Sequence, residues 1–155
     1  MAEFSSDIAA LQADPTAKNL ADPIKVYGGM AYCEATVTLE SGVAAADTVL
    51  LVKVPANFRL LDHLSTVASE GIVTSGVATI DIGDDDDSTA ADTDRYADGL
   101  DVAAAGVDLF NANSAAQRLT PYTIRQTSWI KLTFATLTTP VVGKKLVVKM
   151  VFACL

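Results

Sequence analysis

Between residues 31 and 39 the chain alternates apolar positions (Ala31, Cys33, Ala35, Val37, Leu39) with polar-face positions (Tyr32, Glu34, Thr36, Thr38), and Glu40 continues the polar set. A period of two places successive side chains on opposite faces, so this segment reads as a strand with one face turned to a core. Residues 48–54 are apolar on both faces, as expected of a central strand, and Pro55-Ala56-Asn57 ends them with turn chemistry. Residues 58–67 form another extended run, Gly71 and Gly76 punctuate the stretch beyond it, and residues 77–82 form a further strand. Short strands are also expected at 107–110 and 121–125. At 128–137, Ile130, Leu132 and Phe134 alternate with Trp129, Lys131 and Thr133. After the turn residues Pro140 and Gly143, Leu146, Val148, Met150 and Phe152 alternate with Val147, Lys149 and Val151. About eight short strands separated by turn signals, with no long helix and no βαβ alternation, predict an all-β chain. The expected architecture is an antiparallel β-sandwich, jelly-roll-like, with an extended N-terminal arm.

The arm is assigned to residues 1–29 and the sandwich to 30–155. Ser5 or Ser6 is placed to cap a short helix with Asp7 in its first turn and Ile8 and Leu11 on one face. Pro15 and Pro23 limit its length, and so short a piece buries little unless it lies on the body or on a neighbouring subunit.

At 155 residues the chain is long enough for one domain that is stable without staples, and its 50% apolar content excludes disorder for the body. No apolar run approaches the ~20 residues of a membrane span, and the N-terminus has no basic region or apolar h-region of a secretory signal. The chain is therefore expected to be made and kept in the cytosol. Cys33 and Cys154 belong to no CxxC or Cys/His group, and reduced, buried thiols are favoured over a disulfide in that compartment.

The charge is uneven. Residues 81–101 hold nine aspartates against one base, Arg95, whereas the whole chain has 19 acids and 11 bases. Subtracting one set from the other leaves ten of each elsewhere, so the net charge of −8 belongs to this one stretch, which reads as a loop between strands. Such a stretch can bind a cation, meet a basic partner, or keep a connection solvated. For calcium, an irregular site of Asp84, Asp86, Asp92 and Asp94 is the candidate. The EF-hand pattern itself fails, because counting from Asp84 the sixth position is Thr89 and the twelfth is Arg95. Runs of like charge are more often solvated or partner-facing, so Asp84, Asp85, Asp86 and Asp87 rank first as partner-binding residues. Arg95, if exposed, is worth ~0–1 kcal/mol to a neighbour. An acidic chain without a basic stripe disfavours nucleic acid.

Signatures of catalysis are absent. His63 is the single histidine, and Ser65 would share its face of one strand without a third group to complete a triad. No phosphate loop, HExxH or Cys/His metal spacing occurs, and no cofactor is expected. Trp129 with Tyr27, Tyr32, Tyr96 and Tyr122 offers material for a sugar-stacking platform, with core packing or a subunit contact as the bland alternative.

Three segments together carry a resemblance. They are Lys53-Val54-Pro55-Ala56-Asn57-Phe58-Arg59-Leu60-Leu61, then Thr79-Ile80-Asp81-Ile82-Gly83-Asp84, and Asp94-Arg95-Tyr96-Ala97-Asp98-Gly99-Leu100-Asp101-Val102 leading into Ala103-Ala104-Ala105-Gly106. With the C-terminal strand pair, they make residues 31–153 similar to the capsid decoration (cement) proteins of tailed bacteriophages. The likeness departs at the acidic insert, 85–92, and at the arm. It implies a β-sandwich that binds the outside of an icosahedral shell and stabilises it. The implied partner is a major capsid protein, on which the chain sits as a homo-oligomer, dimer or trimer. The implied location is the virion exterior, with host cytoplasm during assembly. Tyr96, Trp129, Ile8 and Leu11 join the four aspartates as candidate partner-binding residues. The competing reading is a carbohydrate- or receptor-binding module of a head fibre or tail; a hydrolase around His63 comes third.

Overall fold

The computed structural model describes residues 3–5, 25–27, 29–85, 92–110 and 122–155. In chain order the strands are β1 (Glu3–Ser5), β2 (Lys25–Tyr27), β3 (Met30–Thr38), β4 (Thr48–Val54), β5 (Phe58–Leu60), β6 (Thr66–Glu70), β7 (Ala78–Asp84), β8 (Asp92–Asp101), β9 (Ala105–Leu109), β10 (Ser128–Leu137) and β11 (Lys145–Cys154). They form two sheets, β1-β4-β10-β7-β8 and β2-β3-β11-β6-β9, with β5 also pairing β11. All pairings are antiparallel except β1 with β4, which is parallel. The molecule is an all-β sandwich of two sheets.

The core follows the alternation. Ala31, Cys33, Ala35 and Val37 of β3 and Leu146, Val148, Met150 and Phe152 of β11 are buried. From the other sheet they meet Val52, Val54, Ile80, Ile82, Ile130, Leu132 and Phe134, all nearly inaccessible. β4 is buried on both faces, as its sequence predicts. Asn57 adopts a left-handed φ of 66° in the turn after β4, and its backbone N–H donates to Ile124 O at 2.8 Å. Ile124 N–H returns a 2.8 Å bond to Phe58 O, so the described part of the segment expected as a short strand at 121–125, residues 122–125, is instead an irregular stretch held to the start of β5.

Other expectations are corrected. Ser5 is the last residue of β1, and Ser6, Asp7, Ile8 and Leu11, on which the expected short helix falls, lie outside the described residues. The run 58–67 is broken by a 3-10 turn, Asp62–Leu64, whose start is fixed by Asp62 Oδ1 accepting the His63 N–H at 2.8 Å. The stretch after Asp84, expected as a loop, contains the ten-residue edge strand β8. Cys33 pairs across the ladder with Met150, and Cys154 lies four residues further along β11. At ~3.3 Å per residue that separates the cysteines by roughly 13 Å, beyond disulfide reach, and the two thiols are not joined.

Candidate functional site

The acidic stretch folds as the β7–β8 hairpin, and its two strands approach closely because Gly83 has no side chain. A Cβ there would lie 1.8 Å from the Asp92 carbonyl oxygen. The ladder shifts register between Ile82 and Asp84, and Asp84 falls opposite the core residue Ile130 of β10. Its carboxylate therefore points into the sandwich, and the side chain is inaccessible.

Three side chains answer it. Tyr96 Oη donates to Asp84 Oδ2 at 2.5 Å, and Tyr96 is itself buried. Desolvation first, then the Asp84 charge, pushes the Tyr96 phenol far above its ordinary range, so it remains a donor. Arg95 Nε stands 3.0 Å from the same Oδ2 without the alignment of a hydrogen bond, so the contact is one of charge. Its Nη2 reaches Asp92 Oδ2 at 3.6 Å. The guanidinium carbon lies 3.7 Å from the Tyr122 ring centroid, and Arg125 approaches the same ring at 5.9 Å. The hairpin is thereby tied to the irregular stretch that leads into β10.

The remaining aspartates are graded by depth. Asp85 Oδ1 accepts the Trp129 N–H at 2.6 Å, and its Oδ2 is 3.5 Å from Lys131 Nζ. Asp81 accepts the Gly99 N–H at 2.8 Å; desolvation raises its pKa, that bond offsets part of the rise, and Asp98 adds to it. Asp94 is pushed up to about 6, chiefly because it shares a hydrogen bond with Asp92, with desolvation and the charges of Asp92 and Asp98 adding to the effect. Asp98 and Asp101 are exposed. Asp86 and Asp87 lie outside the described residues.

This geometry alters the candidate residues. Arg95 occupies the space between Asp84 and Asp92 that a calcium ion would need, and a second cation there would be repelled. Among the described residues no group of three His, Cys, Asp or Glu side chains is arranged to hold a metal. Asp84 and Tyr96, expected among the partner-facing residues, are spent inside the sandwich. Trp129 is half-buried on the outer face of its sheet, with Lys53 Nζ 5.7 Å from its ring. Tyr32 is exposed on the opposite sheet and Tyr122 lies under Arg95, so among the described side chains, which do not include that of Tyr27, the aromatics do not gather into a platform. Exposed His63 meets only Asp62 among the ion pairs of the described residues, at 3.4 Å. Ser65 is fully buried, donating to Leu61 O at 2.8 Å and accepting from the Val151 N–H at 3.1 Å. His63 sits in the 3-10 turn and Ser65 closes it, so the two do not share a face of one strand as expected.

No family matches the chain, and no curated sequence matches it either. Solved structures do share its architecture. A chain in the capsid of Ralstonia phage GP4 superposes with a TM-score of 0.70 at 16% identity, over 98% of this chain and 97% of that one. A chain of the cyanophage Pam1 capsid asymmetric unit gives 0.61 at 16% identity, over 92% and 99%. The fold is that of chains found in two phage capsids. At such identities the likeness is one of fold. The match runs nearly end to end in both directions.

Proposed function

We propose that the chain is a structural component of a phage virion, a decoration or cement protein that binds the outer surface of an icosahedral shell and stabilises it. The observation that carries this reading is the end-to-end match with whole chains of two capsids. The strand order supports it. Counting β3, β4, β6, β7, β8, β9, β10 and β11 as one to eight, the sheets run second-seventh-fourth-fifth and first-eighth-third-sixth, the wiring of a jelly roll. The expected partner is a major capsid protein, with the chain self-associated as a dimer or trimer on the outside of the virion and assembled there in host cytoplasm. In this reading a basic surface is met by Asp85, whose carboxylate accepts the Trp129 backbone N–H, and, further along the hairpin, by the exposed Asp98 and Asp101. Residues 1–29 serve assembly more than folding, a reading that rests on Pro15 and Pro23 and on the onset of period-two alternation only beyond them. The glycan-binding alternative lacks a cluster of exposed aromatic rings among the described residues.

Co-sedimentation tests the proposal. Shells assembled from the major capsid protein of the same phage should take up the protein saturably and resist heat or chaotrope better when loaded. A chain starting at Lys25 should unfold cooperatively yet bind more weakly. No uptake by intact shells would end the decoration reading, and an unfolded truncation would put the arm in the core.

A further inference from the structure

Among the described residues eight large apolar side chains are exposed, and four of them, Met30, Tyr32, Val107 and Leu109, fall together on the outer face of the β3-β11-β6-β9 sheet. That face has a polar centre that is nearly neutral. Glu34 lies opposite Lys149, Tyr32 Oη donates to Glu34 Oε2 at 2.7 Å, and Lys149 Nζ is 3.5 Å from the same oxygen. The acidic excess belongs to the other sheet.

We propose that this face is where two copies of the chain meet. The argument is charge self-complementarity. A twofold axis running along the strands between β3 and β11, in the plane of contact, sets β3 of one copy over β11 of the other. Because the ladder pairs Glu34 with Lys149 and Tyr32 with Val151, that operation places each Glu34 against Lys149 of the second copy and each Tyr32 against Val151. Face-to-face packing of aligned sheets is a standard way to bury such surfaces. Pairing through sheet edges is opposed. β8 carries Asp94, Asp98 and Asp101, and Asp108 of β9, opposite core-facing Val67, is an exposed charge on the inner side of the other edge.

With β3 and β11 nine and ten residues long, β6 and β9 five each, and ~3.3 Å per residue and ~4.8 Å between strands, the face offers roughly 460 Å² of flat area. A standard interface buries about 800 Å² per partner, so this dimer forms at high concentration and dissociates on dilution. Crowding on a lattice supplies that concentration. The inference builds on the self-association in the reading above, but its test uses the isolated protein, so failure to bind a shell and failure to dimerise are separate results.

Sedimentation velocity across a wide concentration range should show a monomer–dimer equilibrium for the full chain. Glu34→Lys and Lys149→Glu should each weaken dimerisation about tenfold or more, by setting like charges face to face. An equimolar mixture of the two variants should recover the dimer, because the faces are then opposite in charge. An ion pair acting only within one chain cannot be rescued by mixing. A protein that is monomeric throughout, a trimer, single variants without effect, or a mixture that stays monomeric would each overturn the proposal. If the wild type is monomeric and the variants lose shell binding instead, the face belongs to the shell.

Discussion

Removing the Arg95 guanidinium tests the buried end of the sandwich directly. An exposed arginine beside aspartates would contribute ~0–1 kcal/mol. Here, however, Asp84 has no accessible side-chain surface and Arg95 only 18%. Deleting one member of a buried pair typically costs about 3–5 kcal/mol, because the other charge is left uncompensated away from water. Tyr96 would still donate to Asp84, and loss of the Tyr122 contact adds to the damage, so Arg95→Ala is expected within that range. For a domain of this size each kcal/mol moves Tm by roughly 2–4 °C, which predicts a drop of about 6–20 °C. The mechanism is tested by Asp84→Asn/Arg95→Met, which removes the stranded charge and should cost about 1–3 kcal/mol less than the sum of its two single variants. Urea unfolding followed by circular dichroism and by the fluorescence of Trp129, the sole tryptophan, measures both effects. A loss under ~1 kcal/mol for Arg95→Ala, or additivity within ~0.5 kcal/mol in the cycle, would mean that the pair is effectively solvated.

Two further perturbations act on the same hairpin. Gly83→Ala would put a methyl 1.8 Å from the Asp92 carbonyl oxygen and 2.5 Å from the Thr93 carbonyl carbon, both backbone atoms with no flexible side chain to yield. It should cost at least ~1–3 kcal/mol, seen as a lower urea midpoint with unchanged slope, and wild-type stability would show that the strands can slide apart freely. Asp94 holds its proton more tightly in the folded chain, with a pKa of about 6 against an ordinary 3.8, so its stabilising contribution is full below the lower value and lost as pH rises through the upper. Asp94→Asn should therefore gain stability at pH 7, by less than ~1 kcal/mol after solvent screening, and the gain should vanish near pH 4. A difference curve of Tm that is flat with pH would contradict the shared proton.

The strands that could be read in advance are those with one uninterrupted face against the core. β3, β4, β10 and β11 show this, and Leu132 and Phe134 lie buried where alternation puts them. β8 escaped because its backbone breaks the rule that reveals strands. Tyr96 and Ala97 are adjacent and both buried, and the β7–β8 ladder shifts register at two places, so no period of two survives in the sequence. Its aspartates and glycine are also poor strand formers, and only pairing with β7 makes them one. The 3-10 turn was hidden for the opposite reason. Leu61 and Leu64 look like strand residues, yet Leu64 is 48% exposed, an apolar side chain that no core position claims.

The same irregularity explains why the role of Asp84 could not be read from composition. Neighbours on a regular strand point to opposite faces, so Arg95 and Tyr96 should not reach one oxygen. They both reach Asp84 Oδ2 because the hairpin is bulged there, and nothing in a run of aspartates marks which one the bulge will carry inward. Charge density suggested a trap for a cation, but the chain supplies the cation itself as Arg95. Among the described residues, with Asp84 answered by Arg95, Asp92 partly so, and Asp85 paired with Lys131, the exposed charge of the hairpin lies at Asp98 and Asp101 on the sheet edge. A run that looks uniform in sequence thus separates into a buried anchor and a charged edge. The anchor fixes the hairpin, and the charged edge resists strand addition to β8 by a second copy while remaining free to attract a basic surface.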